Sequence, residues 1–328
     1  MTGRLRSAAL LLLCTGAWAT PAVAQQSGAA AYPTKAIRLI VPLAAGGPSD
    51  HMARALAQKL SEGIKQTVVV DNRPGASGII GTDLVAKSLP DGYTLLLAQT
   101  ALTINASLAP KLPYDTLRDL EPVSQLTAAP YLLAVHPSLP VRTIPQLIAL
   151  AKARPGELNH ASGGSGTGPH LAMEVLMQRA HIKVTHVTYK GGGPAMIDFI
   201  AGQTQLYMTN IVTMLPQAKA GRIRAIATSR AKRSSVAPEL PTIAESGFQE
   251  YDEGAQHGVI APAGTPKPII DKLHAEIVKA MRSPEVLGRL TQEGAEVVAS
   301  SPAEYSAQIR AEIDKWAKVV KSAGIKPE

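Results

Sequence analysis

Three times in this chain a β-rich run ends in a glycine-rich turn and reopens as a run of helical period. The first covers residues 41–54, VPLAAGGPSDHMAR. Ile37, Leu39, Ile40 and Val41 stop at Pro42, and Met52, Ala53, Leu56, Ala57 and Leu60 recur at helical spacing beyond Gly46, Gly47, Ser49 and Asp50. The second turn runs from Ser162-Gly163-Gly164 through Ser165-Gly166-Thr167-Gly168, and the third is Lys190-Gly191-Gly192-Gly193-Pro194. A strand-to-helix turn aims unpaired backbone N–H groups and the positive end of a helix dipole outward, which makes a generic anion site. Carboxylate and phosphate both fit at this level.

Along the first half, residues 37–41, 67–70 and 93–98 read as strands, with helices predicted over 51–63 and around Ile80, Leu84 and Val85. Three strands separated by two helices predict a parallel, wound α/β sheet. Residues 103–119, with Asn105, Pro110, Pro113 and Asp115, read as a long loop over the carboxyl end of that sheet. Residues 123–135, interrupted by Pro130, read as a strand that leaves the first sheet for a second one. The second half repeats the pattern: helix 143–153 with Thr143 as N-cap, strand 158–161, helix 169–180, strand 184–189, helix 195–201 and strand 206–209. The β run 223–228 is the crossing back. Strand 258–261, helix 267–281 and a last helix over 302–323 complete the chain. Two crossings make a two-segment hinge.

The N-terminus stands apart. Arg4 and Arg6 precede an apolar run centred on residues 10–13, and Ala22-Val23-Ala24 supplies the small residues of a cleavage site. We read residues 1–24 as an export signal cleaved after Ala24. The only cysteine, Cys14, lies inside it, so cysteine nucleophiles and Cys-ligated zinc are excluded from the mature chain. Net charge falls from +8 to +6 when Arg4 and Arg6 leave. Basic residues are dispersed among acids, and the one cluster, Arg230, Lys232 and Arg233, reads as a solvated loop. That argues against nucleic acid and favours an anionic small ligand.

None of the turns fits a nucleotide fingerprint: Pro169 stands where G-x-G-x-x-G needs its last glycine, and no turn offers Gly-Lys followed by Ser or Thr. No cofactor is expected. Gly163, Ser165 and Thr167 approach the hydrolase elbow G-x-S-x-G, but threonine replaces the final glycine. No H-E-x-x-H or i, i+4 histidine pair marks a metal site. His170 lies in the first helical turn after the second Gly-rich turn, where its side chain can point back at whatever that turn binds. Asp50 holds the matching place after the first turn, where an N-terminal cap role is expected. Tyr189 ends a strand before the third turn and offers a phenol to an oxyanion.

With these residues in order, the chain resembles the Bug family of periplasmic receptors of the tripartite tricarboxylate transporter type. The resemblance rests on Tyr32-Pro33, Val41-Pro42 with Gly46-Gly47 and Asp50, Asn72-Arg73-Pro74-Gly75, Pro90-Asp91-Gly92-Tyr93, Pro169-His170-Leu171, Tyr189-Lys190-Gly191 and Ala261-Pro262-Ala263-Gly264-Thr265. It implies a two-lobed, type II periplasmic-binding-protein fold, two wound α/β domains that close on a carboxylated metabolite, with no catalysis. Lobe 1 would comprise residues 32–129 plus 230–328, and lobe 2 residues 130–229. It further implies that Leu43, Ala44, Ala45, Gly46, Gly47, Ser49 and Asp50 face Ser165, Gly166, Thr167 and His170 across a cleft. Tyr189, Gly191 and Gly192 would lie beside them. The partners implied are a small carboxylate and the membrane permease subunits of the transporter, with the receptor a periplasmic monomer.

Three departures from the family pattern bear on the ligand. Leu43, Ala44, Ala45 and Pro48 stand where many members carry Phe-Pro-Pro and three glycines; Thr209 lies near a common aspartate; Gln256 and His257 replace an aromatic pair before Gly258. Loss of the ring and the charge argues against an amino-acid ligand, and Gln256 and His257 offer hydrogen bonds to a second carboxylate. The expected ligand is a dicarboxylate or an aromatic acid, bound at roughly micromolar affinity, about −8 kcal/mol. A ligand sensor that docks on a signalling receptor is the alternative output, and a serine hydrolase the enzymatic alternative.

Overall fold

The computed structural model describes residues 32–325 apart from Gly47, Pro110 and Glu293. The expected export segment with Cys14, and Gly47 of the first turn, lie outside the described residues. β1 (Ile37–Val41) leads through α1 (Pro48–Ile64) to β2 (Val68–Asn72), and α2 (Ile79–Ala86) leads to β3 (Thr94–Gln99). β1 pairs in parallel with both neighbours, Ile37 opposite Val68 and Arg38 opposite Thr94. Parallel neighbours require such crossovers, and the helices cover the sheet faces, so β1 is buried at every residue but Arg38.

Residues 103–119 are not a loop throughout: α3 (Ala101–Leu108) opens directly after β3. Turn-forming residues misled the reading because their polar groups are used inside the fold. Asn105 Nδ2 donates to the Ser77 carbonyl at 3.1 Å, Thr103 Oγ1 to the Thr100 carbonyl at 3.0 Å, and Ser107 Oγ to the Ile313 carbonyl at 3.0 Å. With those groups satisfied, Leu102 and Ile104 are free to fill the core.

β4 (Leu120–Val135) follows, and then α4 (Ile144–Ala153), β5 (Asn159–Ser162), α5 (Gly168–Ala180), β6 (Thr185–Thr188), α6 (Gly192–Ile200), β7 (Leu206–Asn210), α7 (Ile211–Lys219) and β8 (Arg224–Thr228). Thr143 caps α4 as expected, its hydroxyl accepting from the Gln146 N–H. α1 and α6 each begin three residues before the predicted start, because Pro48 and Pro194 fall in a first turn, where a missing N–H costs nothing. β9 (Gly254–Pro262), α8 (Lys267–Met281), α9 (Pro284–Gln292), β10 (Glu296–Val297) and α10 (Pro302–Ala323) end the chain. β9 starts four residues before the expected strand, so Gln256 and His257 are strand residues.

β4 is the joint of the sheet, whose order is β2-β1-β3-β9-β4-β7-β5-β6. Its first part runs antiparallel to β9, from Leu120 opposite Pro262 to Pro130 opposite Gly254. From Tyr131 onward it pairs with β7 and β8 instead. The exchange falls at Pro130, which has no N–H to give a ladder. Ser229 stitches the joint: its Oγ accepts from the Tyr131 N–H at 2.8 Å and donates to the Glu253 carbonyl at 2.6 Å, while the Glu253 N–H donates to the Ser229 carbonyl at 2.9 Å.

α10 packs along both sides of this joint. Tyr305 and Ile309 share a cluster with Ile40, Leu96 and Ile260, whereas Trp316 and Val319 sit with Leu133, Leu171 and Leu176. Between them Lys315 Nζ reaches Glu253 Oε2 at 2.7 Å and Glu312 Oε1 at 2.8 Å, and lies over the Trp316 ring. Glu253 is almost wholly buried, and burial pushes its carboxyl above the usual carboxylate range although Lys315 opposes the shift. A carboxyl raised in the folded state weakens the fold as pH rises through its folded value. Lys315→Ala should therefore cost about 3 kcal/mol where Glu253 is ionised, and less at acidic pH, where a protonated Glu253 no longer leaves a buried charge unpaired. Urea unfolding at neutral and at acidic pH measures the difference.

Candidate functional site

At the joint the carboxyl ends of β1, β3, β5 and β7 open onto one cavity of about 410 Å³. No lysine, arginine, aspartate or glutamate is among its described lining residues. The polar lining forms two poles. The first is built from Ser49 at the start of α1, Thr100 and Ala101 at the start of α3, Thr127 on β4, and Gln256 and His257 on β9. The second is built from Ser165, Gly166, Thr167 and Gly168 at the start of α5, with Asn210 and Thr213 at the start of α7. Leu43, Met52, Leu108, Pro130, Ile211 and Val212 supply apolar wall.

Four helices thus begin at the cavity, and the caps of α3, α5 and α7 make no side-chain hydrogen bond to their first turn. Each N-terminus carries roughly half a positive charge. The four together give about two positive charges in a site with no cationic side chain, enough for one or two carboxylates.

In the first pole, Ser49 Oγ lies 2.9 Å from His257 Nε2, and Thr127 Oγ1 lies 3.3 Å from His257 Nδ1. Burial holds the His257 imidazole down at about 4. The ring is half-buried, and it lines the cavity. The Gln256 N–H donates to Thr100 Oγ1 at 3.0 Å, and its side-chain carbonyl accepts from Gln308 of α10. In the second pole, Gly166 has φ 71°, the left-handed region that favours glycine, and a Cβ there would run into Leu108. Its N–H donates to His170 Nδ1 at 3.0 Å, which puts the proton of a neutral His170 on Nε2, 3.5 Å from Glu174 Oε1. Buried His170 also stacks on His186 at 3.8 Å between centroids.

Of the predicted site residues, Leu43, Ser49, Ser165, Gly166, Thr167, Gln256 and His257 line the cavity. Others hold the turns from behind. His170 grips the Gly166 backbone instead of facing the cavity. Asp50 is buried, and its Oδ2 accepts from Arg54 at 2.9 Å and from the Gly46 N–H at 3.0 Å, so it ties the first turn rather than capping the helix amides. These two donors hold its carboxyl down at about 2. Ala44, Ala45 and Gly46 are exposed and do not line the cavity. The third turn is also absent from the lining: Gly191 donates to the Gly163 carbonyl, Gly192 accepts from the Tyr207 hydroxyl, and the Tyr189 N–H donates to the Ser162 carbonyl. Burial, then Asp198, raises the Tyr189 phenol. Thr209 is replaced at the cavity by its neighbour Asn210, whose Oδ1 is buried without a protein partner. Asn210 was findable, since asparagine before an apolar helical run is a capping signature. Thr100 was hidden by the loop reading of residues 103–119.

An α/β sheet jointed at one long strand, with a cavity at the joint that has no charged side chain among its described lining residues and is fed by helix N-termini from both sides, is the architecture of a periplasmic solute-binding protein. The chain belongs to the tripartite tricarboxylate transporter family receptors, whose pattern matches residues 52–325. It is 39% identical over 310 residues to protein BugT of Bordetella pertussis, covering 94% of this chain and 95% of that one. Among solved structures it is similar to R. palustris Rpa4515 with adipate, at 36% identity and TM-score 0.79, covering 90% of this chain and all of that one. MatC from Rhodopseudomonas palustris with bound malate is 30% identical with TM-score 0.75, over 88% of this chain and all of that one. The family is one of transporter receptors, not enzymes.

The role of His170 behind the second turn has a direct test. His170→Ala leaves the Gly166 N–H without its acceptor, which should cost about 1–3 kcal/mol of stability. It should also weaken carboxylate binding, while His170→Asn, whose Oδ1 offers an acceptor near the Nδ1 position, restores part of both. Calorimetric titration and thermal unfolding of the two variants measure this.

Proposed function

We propose that this receptor captures a small carboxylate, a dicarboxylate or an aromatic acid, between two lobes that close about the β4 joint. The receptor then delivers the ligand to the membrane permease subunits of a tripartite tricarboxylate transporter. The lobes are residues 32–129 plus 230–328 and residues 130–229, with the hinge at Pro130 and Ser229. The observation that carries the reading is the meeting of four helix N-termini at one cavity without a charged side chain. Backbone N–H groups and hydroxyls donate to an acceptor-only carboxylate, and the helix dipoles supply the countercharge. A cavity of about 410 Å³ suits a metabolite of modest size. The adipate and malate carried by similar structures are small dicarboxylates, in keeping with the same chemistry. No carboxylate is among the described lining residues, which disfavours an amino acid, whose ammonium group needs such a partner. Export by a signal cleaved after Ala24 places the mature protein in the periplasm, where such a receptor works.

Refolded, ligand-stripped protein should bind at least one small di- or aromatic carboxylate with roughly micromolar affinity. Ser165→Ala should weaken that binding at least about tenfold, the loss of one charge-assisted hydrogen bond. Stabilisation by no carboxylate, or by another ligand class alone, counts against the reading. Small-angle scattering should give a smaller radius of gyration with ligand than without.

A further inference from the structure

The first pole contains the one imidazole that lines the cavity, and its placement bears on how charge is matched there. His257 projects from β9 between two hydroxyls, Ser49 Oγ on Nε2 and Thr127 Oγ1 on Nδ1. A hydroxyl donates or accepts by turning its proton. With a neutral ring, one hydroxyl donates to the bare nitrogen and the other accepts. With an imidazolium, both accept, and no heavy atom has to move. The Ser49 proton is then left to point into the cavity, which Ser49 also lines.

Among the described residues, the charged groups on the elements around the ring have partners of their own. On α1, Asp50 is paired with Arg54 and turned to Gly46; on α2, Asp83 is paired with Lys87. Glu253, just before β9, is paired with Lys315 of α10. Glu121, at the far end of β4, pairs with Ala261 across the sheet, and Glu296 of β10 is exposed. Tyr131 of β4 and Tyr305 of α10 are buried phenols raised by desolvation. His170 of α5 is held by Gly166 and Glu174. Burial alone governs His257. The missing charge is the ligand's.

Resting on the carboxylate reading of this site, we propose that His257 takes up one proton from solvent when the second carboxylate of a dicarboxylate settles on Ser49. The dianion is bound together with a proton, and one carboxylate rests at each pole. A carboxylate about 4 Å from a partly buried imidazole raises its proton affinity roughly a thousandfold, which brings a ring that starts near 4 into the neutral range. A monocarboxylate, held at the second pole with its tail towards His257, brings no such charge and recruits no proton.

Adipate and hexanoate, of equal carbon number, are the probes. Calorimetric titration at pH 6.5 in phosphate and in Tris, whose ionisation enthalpies differ widely, counts the protons taken up. Adipate should carry a substantial fraction of one proton and hexanoate none. The adipate Kd should rise with pH from about 6, with an initial slope approaching tenfold per unit, and level off above about pH 7. His257→Gln, which keeps hydrogen bonding at the position but cannot titrate, should remove the proton and the slope while still binding adipate. Adipate binding with equal enthalpy in both buffers, an undiminished proton count in His257→Gln, or the same count for hexanoate overturns the inference and leaves the carboxylate receptor standing. If no C4 to C8 dicarboxylate binds, this inference falls; if no aromatic acid binds either, the proposed function falls with it.

Discussion

The fold depends on a single strand that changes partners. A strand of 16 residues is long, and β4 stays paired throughout only because β9 hands it over to β7 and β8 at Pro130. Proline cannot donate to the ladder, so the sheet has a place where the change costs little, and Ser229 takes up the backbone groups the exchange would otherwise leave unpaired. The Ser229 hydroxyl and backbone bonds to Tyr131 and Glu253 thus tie three segments at one point. α10 spans the joint, because its two ends belong to hydrophobic clusters on opposite sides of it.

The joint also decides where the site lies. In the order β2-β1-β3-β9-β4-β7-β5-β6, β1, β3, β5 and β7 present their carboxyl ends to the cavity, and the helices that follow them begin there. Ligands of open α/β sheets settle at such points. The result is a cavity faced by helix N-termini, with no guanidinium or ammonium group among its described lining residues. A backbone dipole cannot be neutralised by a stray carboxylate or lost by titration, and it leaves the cavity wall free to be apolar. The acidic and imidazole groups behind the lining, Asp50 and His170, hold the turns in shape instead of touching the cavity.

Much of this was legible in the sequence. Alternation of β-rich and helical runs located nearly every strand and the long helices, and Pro130 inside an apolar run marked the crossing. The first two Gly-rich turns reach the cavity through Leu43 and Ser49 and through Ser165, Gly166 and Thr167, and Gly166 has a φ that favours glycine. The third was indistinguishable from them in sequence, yet it follows β6 at the sheet edge and serves to brace the second turn. α3 was missed since Thr103, Asn105 and Ser107 look like loop residues until their partners, Ser77 and Ile313 among them, are known, and those lie far away in the chain.

The sequence by itself determined the local chemistry: which segments are strands or helices, where glycine must stand, and that family membership points to a carboxylate receptor. Those follow from side-chain period, backbone sterics and ordered motifs, all of which act over a few residues. Only the tertiary structure decided which helix N-termini meet and which polar residues face the ligand. Leu43, Thr100, Asn210 and His257 line one cavity because strand order brings their elements to the same joint, and strand order is set by long-range packing that no local pattern records.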